Sequence, residues 1–241
     1  MTNNNFPAWQ ERTVLLFGEE KMKRLHSAHV LVVGLGGVGA YAAELICRAG
    51  VGKMTIVDAD IVQPSNINRQ LVAHHEVIGE SKAMLLSKRL KQINPQIMVE
   101  AKAQYLKDEM IPALLDSEKF DFIVDAIDTL SPKCFLIKLA QERSIPIVSS
   151  MGAGAKHDIS KVQFADLWKT YNCGLSKAIR KRFTKMKYKR KLPVVFSSEL
   201  PDENAILLLD NEQNKKSTAG TVSYMPAVFG CYLAEYVIRN L

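Results

Sequence analysis

With 241 residues, 47% of them hydrophobic, the chain has room for one large α/β core, and no run approaches the roughly 20 apolar residues that a membrane-spanning helix needs. Cys47, Cys134, Cys173 and Cys231 are scattered, with no Cys-x-x-Cys pair, which argues against a structural zinc site and a disulfide framework. The formal charge of +7 is local: Lys177 to Lys191 holds nine Lys or Arg and no acid, and removing those nine leaves −2 for everything else.

The first residues, Met1 to Pro7, lack a basic segment followed by an apolar one, so the expectation is a cytoplasmic protein. His29 to Val33 is an apolar run of strand length, followed at once by Gly34-Leu35-Gly36-Gly37-Val38-Gly39 and an apolar helical stretch to Ala49. Met54 to Asp58 predicts a second strand, Glu80 to Ile93 a helix stopped by Asn94-Pro95, and Gln96 to Ala101 a third strand. Phe120 to Asp125 predicts a fourth strand and Ile145 to Ser149 a fifth, with Ser131-Pro132 opening the helix between them. This alternation predicts a doubly wound, mainly parallel, Rossmann-like α/β sheet.

After Met151-Gly152-Ala153-Gly154 the rhythm changes. Lys161 to Phe164, Pro193 to Phe196 and Ala205 to Leu209 read as short strands, expected as antiparallel C-terminal extensions of the same sheet. Met225 to Ile238, broken by Pro226, Gly230 and Glu235, reads as a buried terminal helix. The whole chain, 1–241, is expected to be one domain, with a nucleotide-binding half (1–150) and a substrate-binding half (151–241).

A glycine turn between strand and helix brings backbone N–H groups to a phosphate at the positive end of the helix dipole. With Asp58 about 20 residues on, where a carboxylate takes ribose hydroxyls, Gly34, Gly36, Gly37 and Gly39 predict a nucleotide site. Gly52-Lys53 is no Walker loop, because Met54 stands where Ser or Thr is needed and Cys47 where the first glycine belongs. A hydride-transferring enzyme needs little more than the glycine fingerprint. Here Asp58-Ala59-Asp60 runs on into Ser65-Asn66-Ile67-Asn68-Arg69-Gln70 and later Lys82, which adds amides, a guanidinium and an ammonium suited to triphosphate charge. Taken singly, Lys82 reads as a solvated residue of a helix's first turn, and Asn66 or Asn68 as a turn or cap. Asp128, with Thr129 beside it, follows the fourth strand and would either hold Mg²⁺ on the phosphates or cap the next helix; both roles stay open.

These motifs, together with Ile93-Asn94-Pro95 and Asp125-Ala126-Ile127-Asp128, resemble the ubiquitin-activating-like superfamily, whose members adenylate carboxylates with ATP. The resemblance implies that Asp58 and Asp60 lie at the nucleotide and that Asp58 binds ribose. It places Ser65, Asn66, Arg69 and Lys82 at the phosphates, and Mg²⁺ on Asp128. It also implies a homodimer in which Arg12 reaches the phosphates of the other subunit. Arg12, Arg69, Lys82 and Asp128 would then carry the catalysis. Within the superfamily the chain lacks the paired Cys-x-x-Cys motifs of many sulfur-carrier activators. Its Asp166-Leu167-Trp168-Lys169-Thr170, basic helix and Val195-Phe196-Ser197-Ser198-Glu199 resemble the tRNA threonylcarbamoyladenosine dehydratases. That resemblance implies ATP-dependent cyclisation of a modified adenosine in tRNA, with activation of a ubiquitin-like sulfur carrier as the alternative, and leaves room for a cysteine desulfurase or sulfur-acceptor partner. No motif accounts for Cys173 or for Glu203 to Lys216.

In the basic segment, Leu175, Ile179, Phe183 and Met186 share one helical face, and Lys177, Arg180, Lys181, Arg182 and Lys185 occupy the rest. Lys187, Lys189, Arg190 and Lys191 continue the charge. An ordinary charge run is a solvated face, but nine cations uninterrupted by an acid cannot be neutralised locally and suit tRNA phosphates.

Overall fold

The central strands follow from the short, mainly apolar runs of the sequence. In the computed structural model, which describes residues 6–208 and 217–241, strand β1 (His29–Val33) is buried at every position, as a strand covered by helices on both faces must be. Strand β2 (Lys53–Val57) is buried after its first residue, and β4 (Phe122–Asp125) and β5 (Ile147–Ser150) are buried throughout. Strand β3 (Met98–Lys102) is the exposed edge. With β6 (Val162–Asp166) and β7 (Pro193–Ser197) they form a seven-stranded sheet in the order β3-β2-β1-β4-β5-β7-β6. All neighbours run parallel except β6 and β7.

Helices α3 (Gly39–Arg48), α4 (Lys82–Ile93) and α8 (Tyr224–Asn240) cover one face; α5 (Ile111–Ser117), α6 (Leu130–Glu142) and α7 (Gly174–Lys185) cover the other. The expected terminal helix is α8, which buries Met225, Phe229, Leu233 and Val237 at four-residue spacing. Two short helices, α1 (Glu11–Phe17) and α2 (Glu19–Ser27), precede the sheet; α2 buries Met22 and Leu25, whereas α1 buries nothing. No helix among the described residues is long and apolar enough to cross a membrane.

Two expectations about the C-terminal third need correction. Strand β7 is not an antiparallel extension. It pairs parallel with β5, and only β6 is antiparallel. The reason is the path of α7, whose first turn packs against Gly152 beyond the end of β5 and after which the chain re-enters between β5 and β6, with Pro193 beside Asp166 at the end of β6, so that β7 runs in the direction of β5. The strand expected from Ala205 does not join the sheet. Instead β8 (Ile206–Leu208) pairs antiparallel with β9 (Ser217–Ala219), and Gly220 N donates to Ala205 O at 2.7 Å. Ala155 N in turn donates to Gly220 O at 2.8 Å, which holds this ribbon over the loop after β5. Leu209, expected to end that strand, residues 210–216 of the unassigned stretch, and Met1–Asn5 lie outside the described residues.

Candidate functional site

Strand order reverses between β1 and β4, the switch point at which open α/β sheets bind ligands. The glycine turn leaves β1 there. Gly34 has φ +88°, and an added Cβ would stand 2.7 Å from Ala126 O on the loop after β4, so only glycine fits. A side chain on Gly39, the first residue of α3, would collide with the Gly34 carbonyl. Gly36 and Gly37 lie under the next loop: a Cβ on Gly36 would be 3.7 Å from Gln70 Nε2, and one on Gly37 3.3 Å from Arg69 O. The turn and Arg69-Gln70 therefore form one wall.

At the end of β2, Asp58 Oδ2 accepts from Leu35 N at 2.6 Å and Oδ1 from Asp60 N at 2.7 Å, so this carboxylate also organises the glycine turn. Burial pushes the Asp58 carboxyl above the usual range; the Asp60 and Leu35 amides and the more distant Lys82 oppose the shift without cancelling it.

Lys82 is not the solvated first-turn residue that its position suggests. It is 3% exposed, and its Nζ lies 2.8 Å from Asp60 Oδ2, while its N–H donates to Asp60 O at 3.0 Å. Ser81 caps α4 through Met84 N. Asp60 is mostly exposed, so the pair presents an exposed carboxylate held by a buried ammonium. Asn66 is buried, with Oδ1 accepting from Gln63 N at 3.1 Å, which fixes the Pro64–Asn66 turn. Asn68 Nδ2 donates to Thr221 O at 2.9 Å. Arg69 Nη1 donates to Ser65 O at 2.8 Å and to Asn68 Oδ1 at 2.9 Å. Gln70 Oε1 is buried without a hydrogen-bond partner among the described residues.

Asp128 is exposed beyond β4, and its carboxylate makes no hydrogen bond among the described residues; Thr129 is the N-cap of α6 with no side-chain cap bond. The helix-capping alternative for Asp128 is therefore not what the structure shows. No cluster of three or more His, Cys, Asp or Glu suited to a metal occurs among the described residues. A lone free carboxylate beside a phosphate loop fits Mg²⁺, which takes one or two protein carboxylates and completes its shell with phosphates and water.

Sequence reasoning missed Lys133. It pairs with Asp125 Oδ2 at 2.7 Å, both side chains without exposure, directly behind the loop that carries Asp128. The signal was present: a lysine on the stripe it shares with Ile137 and Ala140 in an apolar helix, and an acid ending an apolar strand.

Arg12 projects from α1, exposed and without an ion-pair partner among the described residues, beside Leu15 and Leu16, which are 81% and 76% exposed. Along α7, Lys177, Lys181 and Lys185 form an exposed row at four-residue spacing, and Lys187, Lys189, Arg190 and Lys191 are exposed below it. Two of the nine cations turn inward. Arg180 donates to Thr170 Oγ1 and Leu167 O, and Arg182 Nη2 donates to Ser131 Oγ at 3.0 Å. Met186 is exposed rather than on the buried face, because α7 ends at Lys185. Cys47, Cys134 and Cys173 are buried and Cys231 is exposed. Burial pushes the Cys47 thiol up to about 12 and the Cys134 thiol to about 11, which leaves neither as a thiolate nucleophile near neutral pH.

A model described as the ThiF family matches residues 10–241. The tRNA threonylcarbamoyladenosine dehydratase of Bacillus subtilis is 34% identical over 237 residues, covering 95% of this chain and 93% of its own. The solved structure of the Escherichia coli tRNA N6-threonylcarbamoyladenosine dehydratase in complex with ATP is similar with a TM-score of 0.86 at 31% identity, over 98% of this chain and 95% of that one. A sulfur carrier protein adenylyltransferase of Thermus thermophilus is 38% identical, but over 120 residues, 50% of this chain and 43% of the relative.

Proposed function

The chain belongs to the ThiF family, and from that premise we propose that it is an ATP-dependent tRNA threonylcarbamoyladenosine dehydratase. It activates the threonyl carboxylate of the modified adenosine and closes it to a cyclic, hydantoin-type form with loss of one water. The observation that supports this reading is similarity to a dehydratase over 95% of the chain, where the carrier activator matches 50% of it.

The chemistry needs no protein nucleophile. A carboxylate oxygen attacks the α-phosphorus of ATP, the bond to the bridging oxygen breaks, and pyrophosphate leaves with the electron pair. Arg69 and Lys82 stabilise charge on the transferring group, and the turn of Gly34, Gly36, Gly37 and Gly39 supplies backbone N–H groups. Asp58 holds the ribose. The ureido nitrogen of the same substrate then attacks the acyl carbon and gives up its proton. AMP departs with the former carboxylate oxygen. Holding both groups in one molecule supplies the effective concentration that a covalent enzyme intermediate would otherwise provide. Mg²⁺ on Asp128 would neutralise phosphate charge when bound.

Three finer points belong to the same reading. Residues 1–150 bind the nucleotide and 151–241 the tRNA, whose backbone lies along the row Lys177, Lys181 and Lys185. The chain works as a homodimer, because α1 leaves Leu15 and Leu16 uncovered next to Arg12, and docking this helix on a second copy would bury them and bring Arg12 to the partner's phosphates. The enzyme acts in the cytoplasm, where its substrate is.

The test is mass spectrometry of nucleosides from tRNA carrying threonylcarbamoyladenosine, incubated with the purified chain and Mg-ATP. The modified nucleoside should lose the mass of one water. Unchanged mass, with ATP-pyrophosphate exchange driven by a ubiquitin-like C-terminal tail, would instead make the chain a carrier activator.

A further inference from the structure

Lys133 stands in the first turn of α6, where the helix dipole opposes a cation, and it is wholly buried. Replacing such a buried pair as a whole by apolar side chains of similar volume is often neutral or stabilising, so stability alone does not account for two charges at this place. What the pair does is hold the backbone of one residue, Ile127, at both its N–H and its carbonyl. Lys133 Nζ donates to Ile127 O at 2.9 Å and pairs with Asp125 Oδ2 at 2.7 Å. Asp125 Oδ1 accepts from Ile127 N at 3.1 Å, and Ser149 Oγ on β5 donates to Asp125 Oδ2 at 2.6 Å. Both polar groups of Ile127 are therefore tied to a single buried ion pair.

On one side of Ile127, Ala126 N donates to Val33 O at 2.8 Å, and the Ala126 carbonyl lies against Gly34. On the other side stands Asp128, exposed, with a carboxylate free of hydrogen bonds among the described residues. The loop is thus fixed to the glycine turn at Ala126 and to the α6 cation at Ile127, and it leaves free only the side chain that faces solvent. We propose that the buried Asp125–Lys133 pair is a positioning device for Asp128: it fixes the backbone from which that carboxylate reaches a divalent cation on the nucleotide phosphates. Lys133 touches neither nucleotide nor metal and acts through Ile127. The proposal rests on the reading of Asp128 as the metal ligand.

The experiment measures Mn²⁺ binding to the full chain, with a non-hydrolysable ATP analogue, by electron paramagnetic resonance, alongside thermal melting and analogue affinity in chelator. Lys133→Met should weaken Mn²⁺ binding about tenfold or more, as the loss of an outer partner does at metal sites, while metal-free analogue affinity stays near wild type. Should that variant fail to fold, the doubly neutral Asp125→Asn/Lys133→Met leaves no unpaired buried ion and should show the same loss. A folded variant with wild-type Mn²⁺ affinity and only a lower melting temperature would assign the pair to stability and overturn the proposal. Asp128→Asn separates the two readings: if it too binds Mn²⁺ like wild type, Asp128 is no ligand and both readings fall. If it loses Mn²⁺ while the Lys133 variants keep it, the positioning proposal fails alone.

Discussion

Replacing Lys82 with methionine should separate catalysis from folding more sharply than any other change in the site. Lys82 is 3% exposed, but Asp60, its one ion-pair partner among the described residues, has a side chain 70% exposed. When Lys82 goes, Asp60 is left in water rather than stranded, so the lost pair should cost no more than about 1 kcal/mol. Methionine also spares the cost of burying a charge. The net effect on stability should be small, a shift of the melting temperature of about 4 °C at most for a domain of this size. The transition state is a different matter, because on the proposed mechanism the ammonium stabilises charge on the adenylyl group in transfer. Removing one such interaction costs about 2.7 to 4 kcal/mol, a fall in turnover of about 100-fold or more. The assay is AMP formation with saturating tRNA substrate, run beside a thermal melt of the same preparation. A variant that melts like wild type and turns over like wild type would remove Lys82 from the mechanism. A variant whose activity falls only with its folded fraction would make the lysine a fold residue.

Asp58→Asn should weaken ATP binding. The folded-state carboxyl is raised above its unfolded value, so its contribution to stability is present below the unfolded range, near pH 4, and is lost as pH rises through the folded pKa. Melting of the nucleotide-free wild type relative to the asparagine variant should therefore be higher in acid than near neutral pH, and a difference independent of pH would contradict the assignment to burial. Arg12→Ala should lower turnover with little change in melting temperature. Mixed with Lys82→Met it should regain activity, because one hybrid site then carries both wild-type residues; no regain would place Arg12 in its own subunit's site or outside catalysis. Lys177→Ala/Lys181→Ala/Lys185→Ala should weaken tRNA binding and flatten its salt dependence by about 0.7 to 0.9 for each phosphate no longer neutralised, with ATP affinity intact. An unchanged slope would mean that the row faces only solvent.

The strands up to β5 and their mainly parallel arrangement were legible because each apolar run is of strand length and alternates with a stretch of helical pattern. The wall formed by the glycine turn and Arg69-Gln70 was legible in its parts, because the glycine turn and Ser65 to Gln70 are local motifs. Beyond β5 the outcome depends on where helices travel. The direction of β7 is set by the route of α7, which no periodicity records, and β8 pairs with a strand eleven residues on rather than with the sheet. A charge taken singly is hard to read where burial reverses its meaning. Lys82 and Lys133 look like surface lysines until Asp60 and Asp125 are placed beside them, and Arg180 and Arg182 sit within a cationic run yet bind Thr170 and Ser131.

On the proposed mechanism the carboxylate is activated as an acyl adenylate at this switch point. Threonylcarbamoyladenosine-bearing tRNA with heavy oxygen in the threonyl carboxylate, turned over by the chain with Mg-ATP, tests it most directly. Attack on the α-phosphorus predicts that one labelled oxygen leaves on AMP as the nucleoside loses one water, with unlabelled pyrophosphate. Label in inorganic phosphate alongside ADP would place the attack on the γ-phosphorus and contradict the account.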